Sequence, residues 1–170
     1  MHYEYRSAIG QDSHRFMTAA EKLADPERQL ILAGIVFPDE CPLAGNSDAD
    51  VVLHALTNAI SGLTGVNILG ETADRLCLEE GITDSFQYLQ AAMAELGSWQ
   101  LRGLSISIEG KKPKITPHIP SMKKKLAAMT GLTDSDVGIT ATSGEGLTAF
   151  GRGEGLQVFC LVNARRRVRD

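Results

Sequence analysis

The chain has 170 residues, 43% hydrophobic and 22% charged, with 17 basic against 21 acidic side chains for a net charge of −4. That balance excludes a generally basic nucleic-acid binder, and the composition is neither disordered nor collagen-like. No apolar run approaches the roughly 18 residues that span a bilayer, and the first ten residues carry no apolar signal core, which predicts a soluble, cytoplasmic protein of one domain over residues 1–170, without a membrane or nucleic-acid partner.

The N-terminal stretch 3–12 reads as a strand that runs out into Asp12-Ser13-His14. Residues i and i+2 of an extended chain point to the same side, so Asp12 and His14 can converge on one point. A carboxylate with an imidazole is a partial ligand set for a zinc-like ion; a polar turn accounts for the same triplet on these residues alone. Segment 29–37 is a further strand region. Asn46-Ser47-Asp48-Ala49-Asp50 then opens a helix over 49–63, with Leu53, Leu56, Ile60 and Leu63 forming an apolar stripe. Ser47 or Asp48 is expected as its N-cap. Asp50 and His54, four apart, are neighbours on one helical face, with His54 at the edge of the stripe.

A second helix over 84–97 follows from Phe86, Leu89, Met93 and Leu96, with Asp84 as start and Gly97 as stop. Leu104, Ile106 and Ile108 alternate with polar residues as a strand. The stretch Gly110 to Pro120 holds Lys111, Lys112 and Lys114, which would attract a phosphorylated ligand; equally it reads as a solvated loop with His118 capping a third helix over 118–130. Val137, Ile139 and Ala141 alternate as a strand. Thr142, Ser143, Glu145 and Arg152 lie in the glycine-rich loop after it, where hydroxyls and free amides can cradle phosphate, Glu145 can hold a hard cation and Arg152 can neutralise charge; a plain connection between strands is the alternative. Leu156 to Val162 is apolar on both faces at its centre, as in a central strand or one at a subunit interface. Cys41, Cys77 and Cys160 are odd in number and without a CxxC pair, against both a disulfide framework and a cysteine-rich zinc site. These elements predict an α+β two-layer domain, a sheet with helices packed on one face.

Four motifs occur in order: Gly10-x-Asp12-x-His14, Ser47-Asp48-x-Asp50-x-x-x-His54, Pro113-Lys114-x-x-Pro117-His118-Ile119-Pro120 and Gly151-Arg152-Gly153-Glu154-Gly155. Together they resemble the 2-C-methyl-D-erythritol 2,4-cyclodiphosphate synthase family of the non-mevalonate isoprenoid pathway, over nearly the whole chain. The resemblance implies a homotrimer with active sites between neighbours, which cyclises a CDP-methylerythritol 2-phosphate and releases CMP. It implies Zn²⁺ or a similar divalent ion on Asp12, His14 and His54, and Mg²⁺ or Mn²⁺ on the diphosphate through Glu145. It places Thr142, Ser143 and Arg152 at the phosphates, cytosine against the loop carrying Gly110, Pro113, Lys114, Ile115 and Thr116, and Asn46, Ser47 and Asp50 on the substrate side.

The sequence departs from the family's pattern in several places, among them an extra residue near Gly45 and Phe150, which stands one position later than the usual aromatic. Asn46 stands where a histidine is usual, Ser143-Gly144-Glu145 replaces a Thr-Thr-Glu approach, and residues 66–82 replace the Phe-Pro-Asp segment that receives the erythritol part, with Asp74 as a possible substitute. These departures weigh against reading the activity from the motifs alone. They leave open another nucleotide-linked substrate, or a non-catalytic trimer that binds metal and a nucleotide phosphate.

Overall fold

A computed structural model describes residues 2–70, 81 and 83–168. Its main sheet has four strands: β1 (His2–Arg15), β4 (Gln100–Glu109), β5 (Val137–Thr142) and β6 (Gly155–Val168), in the order β1-β6-β4-β5. Strands β1 and β4 flank β6 antiparallel, while β5 runs parallel to β4, as a helical crossover requires. That crossover is helix α4 (Ile119–Thr130); α1 (Ala19–Ala24), α2 (Val51–Thr64) and α3 (Ser85–Ala94) precede it. A separate hairpin pairs β2 (Leu30–Leu32) with β3 (Ile35–Phe37). The result is the expected α+β arrangement, with helices covering one face of the sheet.

Period-two burial sets the layers. Leu104, Ile106 and Ile108 of β4 and Leu156, Val158, Cys160 and Val162 of β6 all point into the core beneath α2 and α4. Strand β6 is central, which explains its apolar character, although its outward residues Phe159 and Leu161 remain partly exposed. Helix α2 buries nearly its whole circumference rather than one stripe, because it lies across β1 and β6 and packs on α3 as well. Its close approach to β1 depends on Gly10, where an added Cβ would stand 2.2 Å from Ala55 O and from Ala59 N.

Several element ends differ from expectation. The N-cap of α2 is Asp50, not Ser47 or Asp48; its carboxylate accepts from the amides of Val52 and Leu53. Ser47 and Asp48 cap the turn before it, taking the amides of Ala49 and Asp50. Helix α3 starts at its Asp84 cap but ends at Ala94, where Glu95 N turns to Ala92 O in a tighter bond. His118 occupies the N-cap position of α4 without any side-chain cap bond; its ring packs on Phe37 with centroids 4.2 Å apart. Helix α1 has no buried residue, so no apolar period announces it; the capping box Thr18–Glu21 is its one sequence signal. Cys160 is wholly buried and burial pushes its thiol up to about 12, so it packs as a small apolar residue, while Cys77 lies outside the described residues.

Candidate metal centre

Asp12 and His14 project from the end of β1 toward α2, two residues beyond the close contact at Gly10. His54 comes up from the second turn of α2 to meet them. Asp12 Oδ2 lies 3.1 Å from His14 Nε2 and 3.0 Å from His54 Nδ1, and the two ring nitrogens are 3.2 Å apart. Among the described residues this is the one group of three or more such side chains able to hold a metal ion. A tetrahedral ion with bonds of about 2.0–2.1 Å spaces its ligands by about 3.3 Å, close to this triangle.

The chemistry of the donors fits as well. His14 Nδ1 is 2.8 Å from the Ala44 carbonyl, which can only accept, so Nδ1 carries the proton and Nε2 presents a lone pair. A carboxylate oxygen and an imidazole lone pair crowded together repel each other unless a cation or proton lies between them. Burial alone would push the Asp12 carboxyl up, yet the hydrogen bonds and charges of His14 and His54 outweigh it and hold the group well below the usual range. Burial likewise opposes a charged His14, but the Asp12 hydrogen bond prevails and raises the imidazole. The triangle therefore strongly favours positive charge at its centre.

The donors open into a cleft of about 340 Å³ bordered by Gly45, Asn46, Ser47, Asn58, Leu69 and Tyr88. Arg28, which sequence reasoning missed, fastens this border: its Nη2 donates to Gly45 O at 3.1 Å and to Ser47 O. Asn46 and Ser47 thus stand at the mouth of this cleft. Asp50 does not: it is wholly buried, and its oxygens also accept from Ala33 N at 2.9 Å and Gly34 N at 2.6 Å in the β2–β3 turn. Burial pushes its carboxyl up to about 6, against the pull of those amides. Asp50 builds the site by joining hairpin to helix, and the substrate role expected for it is corrected to that structural one.

The other expected residues gather elsewhere at the same end of the sheet. Lys111, Lys112, Pro113 and Lys114 line a second cleft of about 450 Å³ with Phe37 and His118. Gly110 donates its amide to Thr142 O at 3.0 Å and so joins this loop to the end of β5; Ile115 is buried beneath the loop, and Thr116 is exposed. Thr142, Ser143 and Glu145 are exposed, and Glu145 has a positive φ of 46° that non-glycine residues rarely adopt. Arg152 is exposed too and pairs with Glu154 at 2.9 Å. None of residues 110–116 or 142–152 borders the metal cleft. Asp74 and most of segment 66–82 lie outside the described residues.

Sheet, covering helices and donor triangle define an α+β protein with a candidate metal centre. The YgbB family matches residues 5–165 of the chain. A 2-C-methyl-D-erythritol 2,4-cyclodiphosphate synthase from Chlamydia trachomatis serovar A is 49% identical over 159 residues, 93% of this chain and 86% of the relative. Among solved structures, the bifunctional IspDF of Campylobacter jejuni superposes with a TM-score of 0.85 at 27% identity, covering 98% of this chain and 43% of that longer one. A 2C-methyl-D-erythritol-2,4-cyclodiphosphate synthase in its CDP-bound form gives a TM-score of 0.73 at 27% identity, covering 94% and 99% of the two chains. The chain belongs to the YgbB family of cyclodiphosphate synthases. The doubt that Asn46, Ser143-Gly144-Glu145 and segment 66–82 cast on the activity is not borne out by this similarity to cyclodiphosphate synthases.

Proposed function

We propose that the chain cyclises 4-diphosphocytidyl-2-C-methyl-D-erythritol 2-phosphate to 2-C-methyl-D-erythritol 2,4-cyclodiphosphate with release of CMP, as one domain working in the cytoplasm. The observation that carries this reading is the donor triangle of Asp12, His14 and His54, open to a cleft. Among the described residues no helix is long and apolar enough to cross a membrane.

In this reaction an oxygen of the substrate's 2-phosphate attacks the β-phosphorus of the CDP group. The new P–O bond forms as the bond to the bridging oxygen breaks, and that electron pair leaves with CMP. The nucleophile belongs to the substrate, so the chain needs to position and neutralise rather than attack. A divalent ion on the triangle would supply Lewis-acid charge to a phosphate oxygen. Glu145 is the proposed ligand of a second ion on the diphosphate, with Thr142 and Ser143 offering hydroxyls to the phosphates. Arg152 would exchange Glu154 for phosphate, a small cost because both partners are exposed. Lys114 adds charge at the loop whose backbone at Gly110, Pro113, Ile115 and Thr116 would receive cytosine.

A homotrimer would bring these two groups of residues together across subunits. Its support in this chain is the uncovered face of the sheet, where Ile9 and Leu161 are paired across strands with Phe159 beside them. Exposed apolar patches of this kind mark association surfaces.

The test is CMP release from the named substrate with Mg²⁺ and Zn²⁺ present. His54→Ala is expected to lower the rate at least about 100-fold, since a first ligand matters no less than the outer contacts that tune it. Chelation should abolish activity and added metal restore it. Turnover that survives loss of Asp12, His14 and His54 together would overturn the mechanism; bound zinc and CDP without turnover would make the chain a binding module.

A further inference from the structure

His54 is gripped from behind as well as from the cleft. Its Nε2 lies 2.8 Å from the hydroxyl of Ser85, the wholly buried first residue of α3, with Ser47 Oγ further off at 3.3 Å. Ser85 Oγ is also in short contact with Asp48 Oδ1, and the Ser85 amide donates to Asp48 Oδ2 at 3.2 Å. Asp48 is anchored in turn, its own amide donating to Thr83 O at 2.7 Å.

The hydrogens follow from counting. A hydroxyl has one proton and a carboxylate only accepts, so the Ser85 proton is given to Asp48. The serine oxygen then faces His54 with a lone pair, and Nε2 must be the protonated nitrogen. A neutral imidazole protonated at Nε2 has its lone pair on Nδ1, the atom that stands in the triangle with Asp12 and His14.

We infer that Ser85, oriented by Asp48, is a positioning residue of the metal centre: it selects the Nε2–H form of His54 and so aims Nδ1 at the ion. The inference rests on the metal reading of the triangle. It gives the start of α3 a task, since that turn buries a serine where an apolar residue would otherwise pack. It also explains why Asp48 reaches across to α3 while it caps the turn before α2.

The test uses the zinc-loaded full chain. Ser85→Ala is expected to lower zinc affinity about 10–100-fold in competition with a chromophoric chelator, the usual size of an outer-shell loss. Ser85→Thr, which keeps the hydroxyl, should recover most of it. Nitrogen-15 spectra of the loaded wild type should show His54 protonated at Nε2 and metal-bound at Nδ1. Zinc held through Nε2, or an affinity in Ser85→Ala within twofold of wild type, would overturn the inference. Should Ser85→Ala fail to fold, Asp48→Asn serves instead: it keeps one accepting oxygen and is expected to weaken zinc measurably, and unchanged affinity counts against the inference. A wild-type chain that binds no zinc sinks the metal reading itself, whereas tight binding in the variants sinks only the role of Ser85.

Discussion

Gly10 and Asp50 do at the scale of single residues what no neighbouring side chain could. Any Cβ at position 10 would meet backbone of α2, so Gly10→Ala must push β1 away from the helix. The expected cost is about 1–3 kcal/mol by urea unfolding, with weaker zinc binding because Asp12 lies two residues further along. An alanine variant with unchanged stability and affinity would mean that β1 and α2 are not so tightly apposed. Asp50→Ala strands the amides of Ala33, Gly34, Val52 and Leu53 in a buried turn and should cost about 3 kcal/mol. Asp50→Asn, retaining one oxygen, should cost less. Asp12, His14 and His54 could be named together through the family resemblance of the ordered motifs, since on the residues alone a polar turn accounts for the first two and spacing does not bring His54 to them. Ser85 and Arg28 could not, since a serine after a helix cap and an arginine in a loop are everyday surface residues until the fold buries or aims them.

Among the elements, α1 offers the clearest dependence on pH. The Arg15 guanidinium, followed by the amide and hydroxyl of Thr18, holds the Glu21 carboxyl down at about 2. A depressed carboxyl stabilises the folded state above its unfolded value near 4.5, and that contribution fades as pH falls toward 2. Amide shifts of Thr18 and Glu21 should therefore titrate with a midpoint near 2, and Glu21→Gln should remove the titration; a midpoint near 4 would mean the capping box does not persist. The longer helices were legible from their apolar periods, and β4 from its alternation. The strict stripe read for α2 was too narrow, because a helix wedged between a sheet and α3 buries residues that a surface helix leaves wet. The hairpin β2–β3 turns at Ala33 and Gly34, both with positive φ, and Asp50 takes the two amides that this turn leaves over.

For the whole molecule, the decisive surface is the open face of the sheet. Ile9 is 63% exposed and Phe159 42% exposed on a face that no helix among the described residues covers. If this face joins subunits, Phe159→Glu should give a monomer in light scattering and should lose CMP release even though its own metal triangle is untouched. A stable trimer with glutamate there would place the interface elsewhere. The separation of the metal cleft from the residues at 110–116 and 142–152 is what such an assembly would have to bridge.

The sequence by itself determined the fold class and the positions of three helices, because apolar period is a property of residue type and spacing; it pointed to the three metal donors only through the family resemblance that the ordered motifs carry. Only the tertiary structure decided that Asp12, His14 and His54 meet in one triangle, that Asp50 turns inward, and that Ser85 stands behind His54. Residues 12 and 54, or 54 and 85, are joined by chain long enough to go anywhere. Their distance is set by how β1, α2 and α3 pack, which depends on the whole core and on the missing side chain at Gly10.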